Sequence, residues 1–241
     1  MENGTAAAIY SLSTAQNARL DACTENLANA MTPGYRRLIA TQGKFDDVLR
    51  QAAADPNGPV NNMVVDFTAG PCRQTDNPLD MTITGNGFFV VQKDGKEYYT
   101  RNGNFSRSPD GTVVNSGGLT LAGEKGAVQI PLNTDVAKLS IDSNRNLLSG
   151  TQNFGRLRVV TFDKPETLSR VGPTLFAAPA DTVAKPDTKS QVTNRALEGS
   201  NSSIFEEMTE LISCTRAQEA CQKMIHASDQ AESKAINTYS R

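Results

Sequence analysis

The two ends of this sequence contain no glycine or proline over long stretches, whereas its middle is rich in both. Residues 5–30 and 203–241 hold neither residue, although the 241-residue chain has 18 Gly and 11 Pro. Glycine and proline are the residues that most disfavour helix interiors, so both ends are free to form long helices. The sequence therefore predicts a helix at each terminus and a different architecture between them.

The first predicted helix carries only a narrow apolar stripe. Ser13 and Gln16 interrupt this stripe with polar side chains, so burial against one neighbour stabilises the helix weakly. We expect the helix to end near Met31, because Pro33 and Gly34 favour extended and turn backbone. The apolar positions, spaced at helical period, are Ile9, Leu20, Cys23 and Leu27.

The last predicted helix begins with a capping box. Ser203 is followed three residues later by Glu206, a pattern in which the two residues satisfy backbone amides at a helix start. Polar residues again interrupt the apolar stripe, so this helix is also expected to be stabilised weakly by one neighbour. The stripe consists of Ile204, Met208, Leu211 and, further on, Ile225.

The middle of the chain has the pattern of short β-strands. GFFVVQ at 87–92 and EYYTR at 97–101 flank an Asp-Gly turn, which predicts a hairpin. A Ser-Pro-Asp-Gly turn follows at 108–111. Further strands are expected at residues 119–122, 128–131, 138–141, 147–148, 156–162 and 175–177. This spacing predicts an irregular antiparallel sandwich or barrel between polar connectors at 51–62 and 178–191.

Charge and metal-binding residues exclude several classes of function. The 24 basic and 26 acidic side chains give a net charge of −2, so nothing in the composition favours nucleic acid. The chain has a single histidine, His226, and its four cysteines form no CxxC pair. We therefore expect no metal site and no cofactor.

Membrane insertion is not expected either, because no run of about 18 apolar residues occurs. The N-terminus lacks the basic and apolar regions of a cleavable secretory signal.

Cys214 and Cys221 lie seven residues apart on one helix, about 10 Å along its axis and too far for a disulfide with each other. A link from either to Cys23 is geometrically open.

The segment that ends the first helix reads NLANAMTPGY, at residues 26–35. It resembles the N-terminal signature of flagellar rod, hook and hook-associated axial proteins. In physical terms the Thr-Pro-Gly run forces the chain out of the helix, and asparagine tolerates left-handed backbone. The matching residues are Asn26, Leu27, Ala28, Asn29, Thr32, Pro33, Gly34 and Tyr35.

A second, longer segment is similar to the core of the rod proteins. It reads NPLDMTITGNGFFVV at 77–91, then YTRNGNF at 99–105, then Asp-Gly at 110–111. Order, spacing and turn residues agree together, which an ordinary hairpin does not require. The matching residues are Leu79, Asp80, Gly85, Gly87, Phe88, Phe89, Thr100, Arg101, Gly103 and Phe105.

A third segment resembles the approach of these proteins to their last helix. LEGSN at 197–201 leads into EMTELI at 207–212. The matching residues are Leu197, Glu198, Gly199, Ser200, Asn201, Met208, Leu211 and Ile212. Gln218 departs from the pattern, because rod proteins usually carry an aromatic residue there.

On these three segments the chain is identified as a member of the flagellar basal-body rod family. The resemblance implies an α+β fold, with a central all-β domain and long terminal helices that pair in a coiled-coil-like assembly domain. The expected domains are a first assembly helix at 1–40, a connector at 41–70, a β-rich domain at 71–192 and a second assembly helix at 193–241. The short path from Tyr35 to the TAGP turn at 68–71 favours the proximal rod subgroup over the distal one, which carries an insertion.

The resemblance also implies function and partners. It implies a structural subunit without enzymatic activity, which assembles with other rod and axial subunits into a helical tube that transmits torque. It further implies transport by the flagellar type III export apparatus, without a cleavable signal, to the periplasm-spanning rod. No nucleic acid and no small-molecule substrate are expected.

Three alternatives remain at this point. The chain could be a distal rod subunit, or an adaptor or hook-associated protein that binds one axial neighbour. It could also be an enzyme acting on peptidoglycan through Asp80 and Asp110, although aspartate is common in turns for backbone reasons alone. His226 could sense pH, but a solvated histidine at the edge of a helix seam explains it as well.

Overall fold

A computed structural model describes residues 2–41 and 62–239 of the chain. These residues form two compact units. The helical unit comprises residues 2–28, 37–41, 62–66 and 203–239, and the β unit comprises residues 29–36 and 67–202. The α+β class with a central β domain and a helix at each end is therefore confirmed.

The helical unit contains two long helices and one short hairpin. Helix α1 spans Glu2–Ala28 and helix α2 spans Ile204–Tyr239. Strands β1 (Leu38–Thr41) and β2 (Asn62–Val65) pair antiparallel. The expected connector at 41–70 thus contributes β2, and the Pro-containing stretch predicted at 51–62 lies outside the described residues except for residue 62.

Helix α1 ends three residues before the predicted stop near Met31, whereas α2 begins close to its predicted cap. Helix α1 stops at Ala28, and a turn follows in which the Thr32 amide donates to the Asn29 carbonyl at 3.0 Å. Helix α2 starts one residue after the predicted cap, and the Glu207 amide donates to the Ser203 carbonyl at 2.9 Å. Two acidic residues occupy its first turn, where the helix dipole favours negative charge.

The β unit is built from short strands and two 3₁₀ turns. The turns span Val136–Lys138 and Pro165–Thr167. The strands are β3 (Cys72–Gln74), β4 (Met81–Thr84), β5 (Phe88–Lys93), β6 (Lys96–Thr100), β7 (Phe105–Arg107), β8 (Val113–Asn115), β9 (Thr120–Gly123), β10 (Gly126–Ala127), β11 (Leu139–Ile141), β12 (Asn146–Ser149), β13 (Gln152–Arg156), β14 (Val159–Thr161), β15 (Ser169–Arg170), β16 (Leu175–Ala177), β17 (Lys185–Pro186), β18 (Gln191–Asn194) and β19 (Ala196–Glu198).

The main sheet is antiparallel and open. Its strands follow the order β15-β16-β6-β5-β9-β8-β7, with β10 beside β9, β14 beside β5 and β17 beside β14. Three smaller sheets complete the unit: β11-β12-β13, β4-β18 and β3-β19. The barrel alternative is therefore wrong, since the end strands β15 and β7 do not pair with each other.

The predicted hairpin is confirmed as β5–β6. Lys93 pairs with Lys96 across a two-residue turn, and Asp94 and Gly95 both have positive φ, at 51° and 75°. Two positive φ angles match the right-handed twist of the flanking strands, which is why Asp-Gly is favoured there. The Ser-Pro-Asp-Gly turn likewise connects β7 and β8 as predicted.

Strand β5 is buried on both faces and organises the core. Phe89 and Val91 point into a large aliphatic cluster with Met81, Leu121 and Leu157. Phe88 lies on the other face, in an aromatic cluster whose ring centroids lie 4.9–6.3 Å apart; its members are Phe67, Phe88, Tyr99, Phe162 and Phe176. A strand buried on both faces shows a continuous apolar run, as FFVV does here.

Several predicted strands have different bounds. Residues 128–131 form an isolated bridge, at Gln129, instead of a strand, and the predicted strand at 156–162 is divided between β13 and β14. The connector predicted at 178–191 contains β17 and the first residue of β18. Residues 193–203, expected within the last assembly segment, form the end of β18, then β19, and precede α2.

Candidate functional site

In the β unit, Glu198 of the third motif segment, Arg101 of the second and Arg36, which directly follows the first, come together around the Glu198 carboxylate in β19. Arg36 donates from Nη2 to Oε1 at 2.5 Å, and the Gly70 amide donates to the same oxygen at 3.0 Å. Arg101 donates from Nη1 to Oε2 at 3.4 Å. The side chains of Glu198, Arg36 and Arg101 are at most 4% exposed. We call these three residues the Glu198 cluster.

Gly34 fits against the backbone of this cluster. Its amide donates to the Glu198 carbonyl at 2.8 Å, and its φ is +70°, in the region that favours glycine. A Cβ at this position would lie 2.3 Å from the Asn102 amide nitrogen. The glycine of the TPGY segment is therefore required both for its backbone angle and for space.

Tyr35 and Arg36 are fixed by a second arginine. Both residues are fully buried. The Arg170 guanidinium lies over the Tyr35 ring, 4.5 Å from its centroid, and its Nη2 donates to the Arg36 carbonyl at 2.7 Å. Arg170 thus holds the TPGY segment by a cation–π contact and the following arginine by a hydrogen bond.

Arg101 links Glu198 to the end of β4. It donates to the Gly85 carbonyl at 2.6 Å and to the Ile83 carbonyl at 3.3 Å, and it lies over the Phe88 ring at 5.1 Å. Burial lowers the pKa of Arg101 to about 10, although the Glu198 charge raises it. Arg101 is therefore protonated at neutral pH, and its charge is available to the carboxylate.

Gly103 allows the loop before β7 to approach β4 closely. Its carbonyl accepts the Met81 amide at 2.9 Å, and a Cβ there would lie 1.7 Å from the Met81 carbonyl oxygen. The remaining core-motif residues, Leu79, Phe88, Phe89, Thr100 and Phe105, are buried. These residues build the β unit, and Gly87 and Gly85 pack against Ser190 beside them.

Asp80 and Asp110 each accept hydrogen bonds from polar groups of nearby loops. Asp80 is buried and accepts hydrogen bonds from Asn77 Nδ2 at 2.9 Å and Asn104 Nδ2 at 3.0 Å. Hydrogen bonds from Ser108 and Thr112 lower the pKa of Asp110 in its turn. Both carboxylates therefore act as acceptors that fix loops.

The segment that precedes α2 is also held within the β unit. Leu197 is buried in β19, and the Gly199 amide donates to the Pro71 carbonyl at 2.8 Å. Asn201 donates from Nδ2 to the Thr68 carbonyl at 3.2 Å, and Ser200 accepts the Ser202 amide. The LEGSN segment thus packs on the TAGP turn.

In the helical unit, Asn26 and Glu207 occupy the centre of the contact between α1 and α2. Asn26 accepts the Leu38 amide at 2.7 Å and donates to the Leu38 carbonyl at 2.9 Å and to Glu207 Oε2 at 3.3 Å. The Cys23 thiol donates to the Glu207 carbonyl at 2.8 Å, and Arg19 pairs with Glu210. Polar contacts therefore account for much of this interface.

The cysteines are free thiols. Cys23, Cys214 and Cys221 are buried and Cys72 is exposed. Burial, with a further contribution from the Glu207 charge, raises the pKa of the Cys23 thiol to about 12. The disulfide that the sequence left open between Cys23 and α2 is therefore not formed.

The buried face of α2 differs from the predicted apolar stripe. Glu207, Cys214 and Cys221 are buried at seven-residue intervals, whereas Leu211 and Ile225 are half-buried. The predicted seam residues Ile204 and Met208, together with Phe205 and Ile212, are exposed. We call these four exposed residues the apolar face of α2. Polar and sulfur-containing side chains, and not the largest apolar ones, fill the contact with α1, so the role of Ile204 and Met208 in assembly stays a prediction.

The buried face of α1 is made of small residues. Ala18, Ala22, Cys23 and Asn26 are buried, whereas Leu20 and Leu27 are half-buried. The side chain of Ile9 lies outside the described residues. Small residues let α2 approach α1 closely. The contact therefore depends on side-chain size more than on the large apolar residues of the predicted stripe.

The last predicted residues lie around the end of α1. Ala28 is exposed, and Asn29, Thr32 and Pro33 are half-buried. Thr32 Oγ1 donates to Asn29 Oδ1 at 3.2 Å, which closes the turn. His226 is exposed on α2, and Gln218 is half-buried there with no partner for its amide oxygen among the described residues.

Sequence reasoning missed Arg36, Gly70 and Arg170. Each contributes to the Glu198 cluster or fixes it. Arg36 directly follows the TPGY segment and Gly70 lies in the TAGP turn, so both stood beside recognised motifs. Nothing local marked Arg170, since it comes from an edge strand 135 residues after Tyr35.

Residues 2–41 and 62–239 contain no group of three or more His, Cys, Asp or Glu side chains that could hold a metal ion. Within the same ranges, neither helix is long and apolar enough to cross a membrane.

Comparison with known proteins identifies the family. Residues 82–146 match the model of the flagellar hook protein FlgE/F/G D1 domain, and residues 193–238 match that of the flagellar basal body rod FlgEFG protein C-terminal region. FlgG of Agrobacterium fabrum is 30% identical over an alignment of 251 positions, gaps included, which covers 91% of this chain and 93% of the relative. This chain belongs to the flagellar basal-body rod protein family.

Other members of the rod family are similarly related. FlgF of Caulobacter vibrioides is 29% identical, with 90% of each chain covered, and FlgF of Salmonella typhimurium is 30% identical, with 87% of this chain and 88% of the relative covered. Rod proteins are structural, so the chain is not an enzyme and the alternative role of Asp80 and Asp110 on peptidoglycan is not retained.

Proposed function

We propose that this chain is an FlgF-like subunit of the proximal rod, which assembles with other axial proteins into a helical tube that transmits torque. As a member of the rod family it is a structural protein of the flagellar basal body. The observation that carries the proposal is the near-complete coverage of rod relatives together with the Glu198 cluster, which joins residues of, or directly next to, all three motif segments in one buried site.

The lengths of the alignments support an FlgF-like position. The match to FlgF of Caulobacter vibrioides spans 222 alignment positions, whereas the match to FlgG of Agrobacterium fabrum spans 251, more than the 241 residues of this chain. FlgG therefore carries residues that have no counterpart here. Identity itself favours neither, and a distal, FlgG-like position is the second candidate.

We further propose that α1 and α2 pair in a coiled-coil-like manner within the assembly domain. The seven-residue spacing of Glu207, Cys214 and Cys221 supports this, because residues seven apart lie on nearly the same side of a helix. The contacts of Cys23 with Glu207 and of Arg19 with Glu210 place this side of α2 against α1.

The apolar face of α2 is proposed as the surface that neighbouring rod subunits cover. Ile204, Phe205, Met208 and Ile212 are 38–83% exposed on two turns of one helix. Exposed apolar clusters of this kind mark association surfaces. A subunit that reaches its site through the type III export apparatus would find partners for this surface only at the growing rod.

Met208→Asp tests the assembly surface. A charge there would have to be buried in the assembled rod, so we expect loss of motility in cells whose own copy is deleted and replaced by this variant. Ser213→Asp, an exposed position away from the apolar face of α2, is the matched control and should retain motility. Purified variants should keep the helical circular dichroism of the parent chain. Normal motility with Met208→Asp would contradict the proposed surface.

Rescue experiments separate the two rod positions. The gene for this chain is expressed in cells that lack their own FlgF or their own FlgG. We expect rescue of the first strain only, and rescue of the second strain alone would move the chain to the distal rod.

A further inference from the structure

Two Asn-Gly pairs lie in the β unit, in different surroundings. They are Asn86-Gly87 and Asn102-Gly103. Of the two further pairs in the sequence, the one at 3–4 lies within α1 and the one at 57–58 lies outside the described residues. Asparagine before glycine is chemically reactive, because glycine has no side chain to keep its amide nitrogen away from the asparagine carboxamide. Each pair is therefore a candidate modification site.

The side chain of Asn86 is exposed, whereas the backbone on either side of it is held. Asn86 lies in the bend between β4 and β5, and its side chain forms no hydrogen bond among the described residues. Arg101 Nη2 donates to the Gly85 carbonyl at 2.6 Å, and the amide of the buried Gly87 donates to Ser190 Oγ at 3.2 Å. A mobile carboxamide thus lies next to an amide nitrogen of fixed position.

The side chain of Asn102 is in the opposite situation. Asn102 is 8% exposed, and its Oδ1 accepts the Asn104 amide at 3.0 Å. Its own amide donates to Thr100 Oγ1 at 3.0 Å. The Asn102 carboxamide must break a buried hydrogen bond before it can turn toward the Gly103 nitrogen, and this cost adds to the barrier of any reaction between them.

We propose that Asn86 is a site of spontaneous deamidation in the folded chain and that the fold protects Asn102 from the same reaction. The Gly87 nitrogen attacks Cγ of Asn86, and the new bond closes a succinimide ring. Nδ2 leaves as ammonia with the proton that the Gly87 nitrogen gives up. Water then opens the ring at either carbonyl and leaves aspartate or isoaspartate.

The product carries a negative charge that asparagine lacks, in a loop held by Arg101 and Ser190. In the isoaspartate form the backbone of this loop is also longer. This modification site is additional to the rod assignment and does not depend on it.

Ser190 restrains the reaction. The Gly87 nitrogen becomes a nucleophile as it loses its proton, whereas the hydrogen bond to Ser190 Oγ stabilises the protonated amide. The Ser190 hydroxyl does not donate back to this nitrogen, because it donates to Asp187 Oδ2 at 2.5 Å. Removal of the hydroxyl should therefore accelerate deamidation of Asn86 about two- to tenfold, the scale of one hydrogen bond.

Peptide mapping of the purified full-length chain, after long incubation at mildly alkaline pH, tests the proposal. Trypsin cuts after Arg73, Lys93, Arg101 and Arg107, and so separates the two pairs into peptides 74–93 and 102–107. Mass spectrometry of these peptides measures how much of each asparagine has become an acid. We expect acid to accumulate at Asn86 and not at Asn102. In guanidinium chloride, where both pairs lose their surroundings, the two should react at similar rates.

Two variants test the chemistry and the restraint. Asn86→Gln lengthens the side chain so that a succinimide no longer forms, and peptide 74–93 should then stay unchanged. Ser190→Ala should accelerate the reaction at Asn86, whereas Ser169→Ala, which removes an exposed hydroxyl, should leave its rate unchanged.

Three results would overturn the proposed site: no acid at Asn86 in the parent chain, equal reaction of Asn86 and Asn102 in the folded chain, or undiminished acid in peptide 74–93 of Asn86→Gln. An unchanged or lower rate in folded Ser190→Ala would overturn the role of Ser190. If Ser190→Ala does not fold, the comparison of Asn86 with Asn102 in the parent chain still decides the question.

Discussion

At the scale of single residues, Glu198 brings a negative charge into the interior of the β unit. A buried charge is tolerated only when paired groups replace the water it loses. Arg36, Arg101 and the Gly70 amide provide those groups, and each comes from a different part of the chain. The cluster therefore fixes how the chain segments meet within the β unit.

Glu198→Gln should destabilise the chain strongly, because it leaves two buried guanidinium groups without their anion. We expect the free energy of unfolding to fall by about 3–5 kcal/mol, the usual cost of breaking a buried ion pair. Urea unfolding followed by fluorescence of the tyrosines or by circular dichroism measures it. Glu166→Gln, at an exposed position, is the control. Equal stabilities of the two variants would show that the cluster contributes no more than a surface carboxylate.

Gly103→Ala should be destabilising for steric reasons. The added Cβ would lie 1.7 Å from the Met81 carbonyl oxygen, so the two backbones must separate. We expect a loss of about 3 kcal/mol in urea unfolding, as for severe overpacking. At Gly172 the nearest atom to an added Cβ is 3.8 Å away, so Gly172→Ala should be nearly neutral. A similar stability of both variants would contradict the close approach.

These residues also show what a single sequence can reveal about a site. The glycines and Glu198 were recognised because they belong to motifs with fixed spacing. Their common contact was not predicted, because Gly34, Arg101 and Glu198 meet only when segments more than 60 residues apart fold together. Arg170 carried no local signal, since its partners Tyr35 and Arg36 lie far away in sequence.

At the scale of elements, the predictions that rest on neighbouring residues in the sequence were the most accurate. The Asp94-Gly95 turn and the FFVV run predicted β5–β6 because both signals are local. The predicted strand at 128–131 is reduced to one bridge between Gln129 and Thr112, flanked by backbone hydrogen bonds of Val128 and Ile130. Periodicity does not tell which partner an apolar stripe contacts, and in α2 the side against α1 is formed by Glu207, Cys214 and Cys221.

The contact between α1 and α2 should weaken at alkaline pH. The Cys23 thiol ionises near pH 9 when the chain is unfolded, whereas its folded pKa is about 12. Its contribution to stability is therefore complete below pH 9 and is lost as the pH rises toward 12. We expect thermal unfolding followed by helical circular dichroism to show a falling midpoint between pH 9 and 11.

Cys23→Ala should flatten this pH dependence, because the titrating group is removed. Cys72→Ala, which removes an exposed thiol from the β unit, should leave the slope of the parent chain. An identical slope in the parent chain and in Cys23→Ala would show that this thiol does not report on the helix contact.

At the scale of the whole molecule, the order of elements agrees with the resemblance. Terminal helices around a central β domain were expected, and the family models match one region of the β unit and the last helix. The open main sheet was not predicted, because spacing between short strands does not distinguish an open sheet from a closed one. Closure depends on pairing between strands that are distant in sequence.

The presence of this chain in isolated basal bodies tests the central claim most directly. Hook–basal bodies are purified from the source bacterium and their proteins are identified by mass spectrometry. Labelling with an antibody to this chain then locates it by electron microscopy. We predict that the chain is found in the rod and that its deletion abolishes both rod completion and motility. Its absence from basal bodies of motile cells would contradict the account.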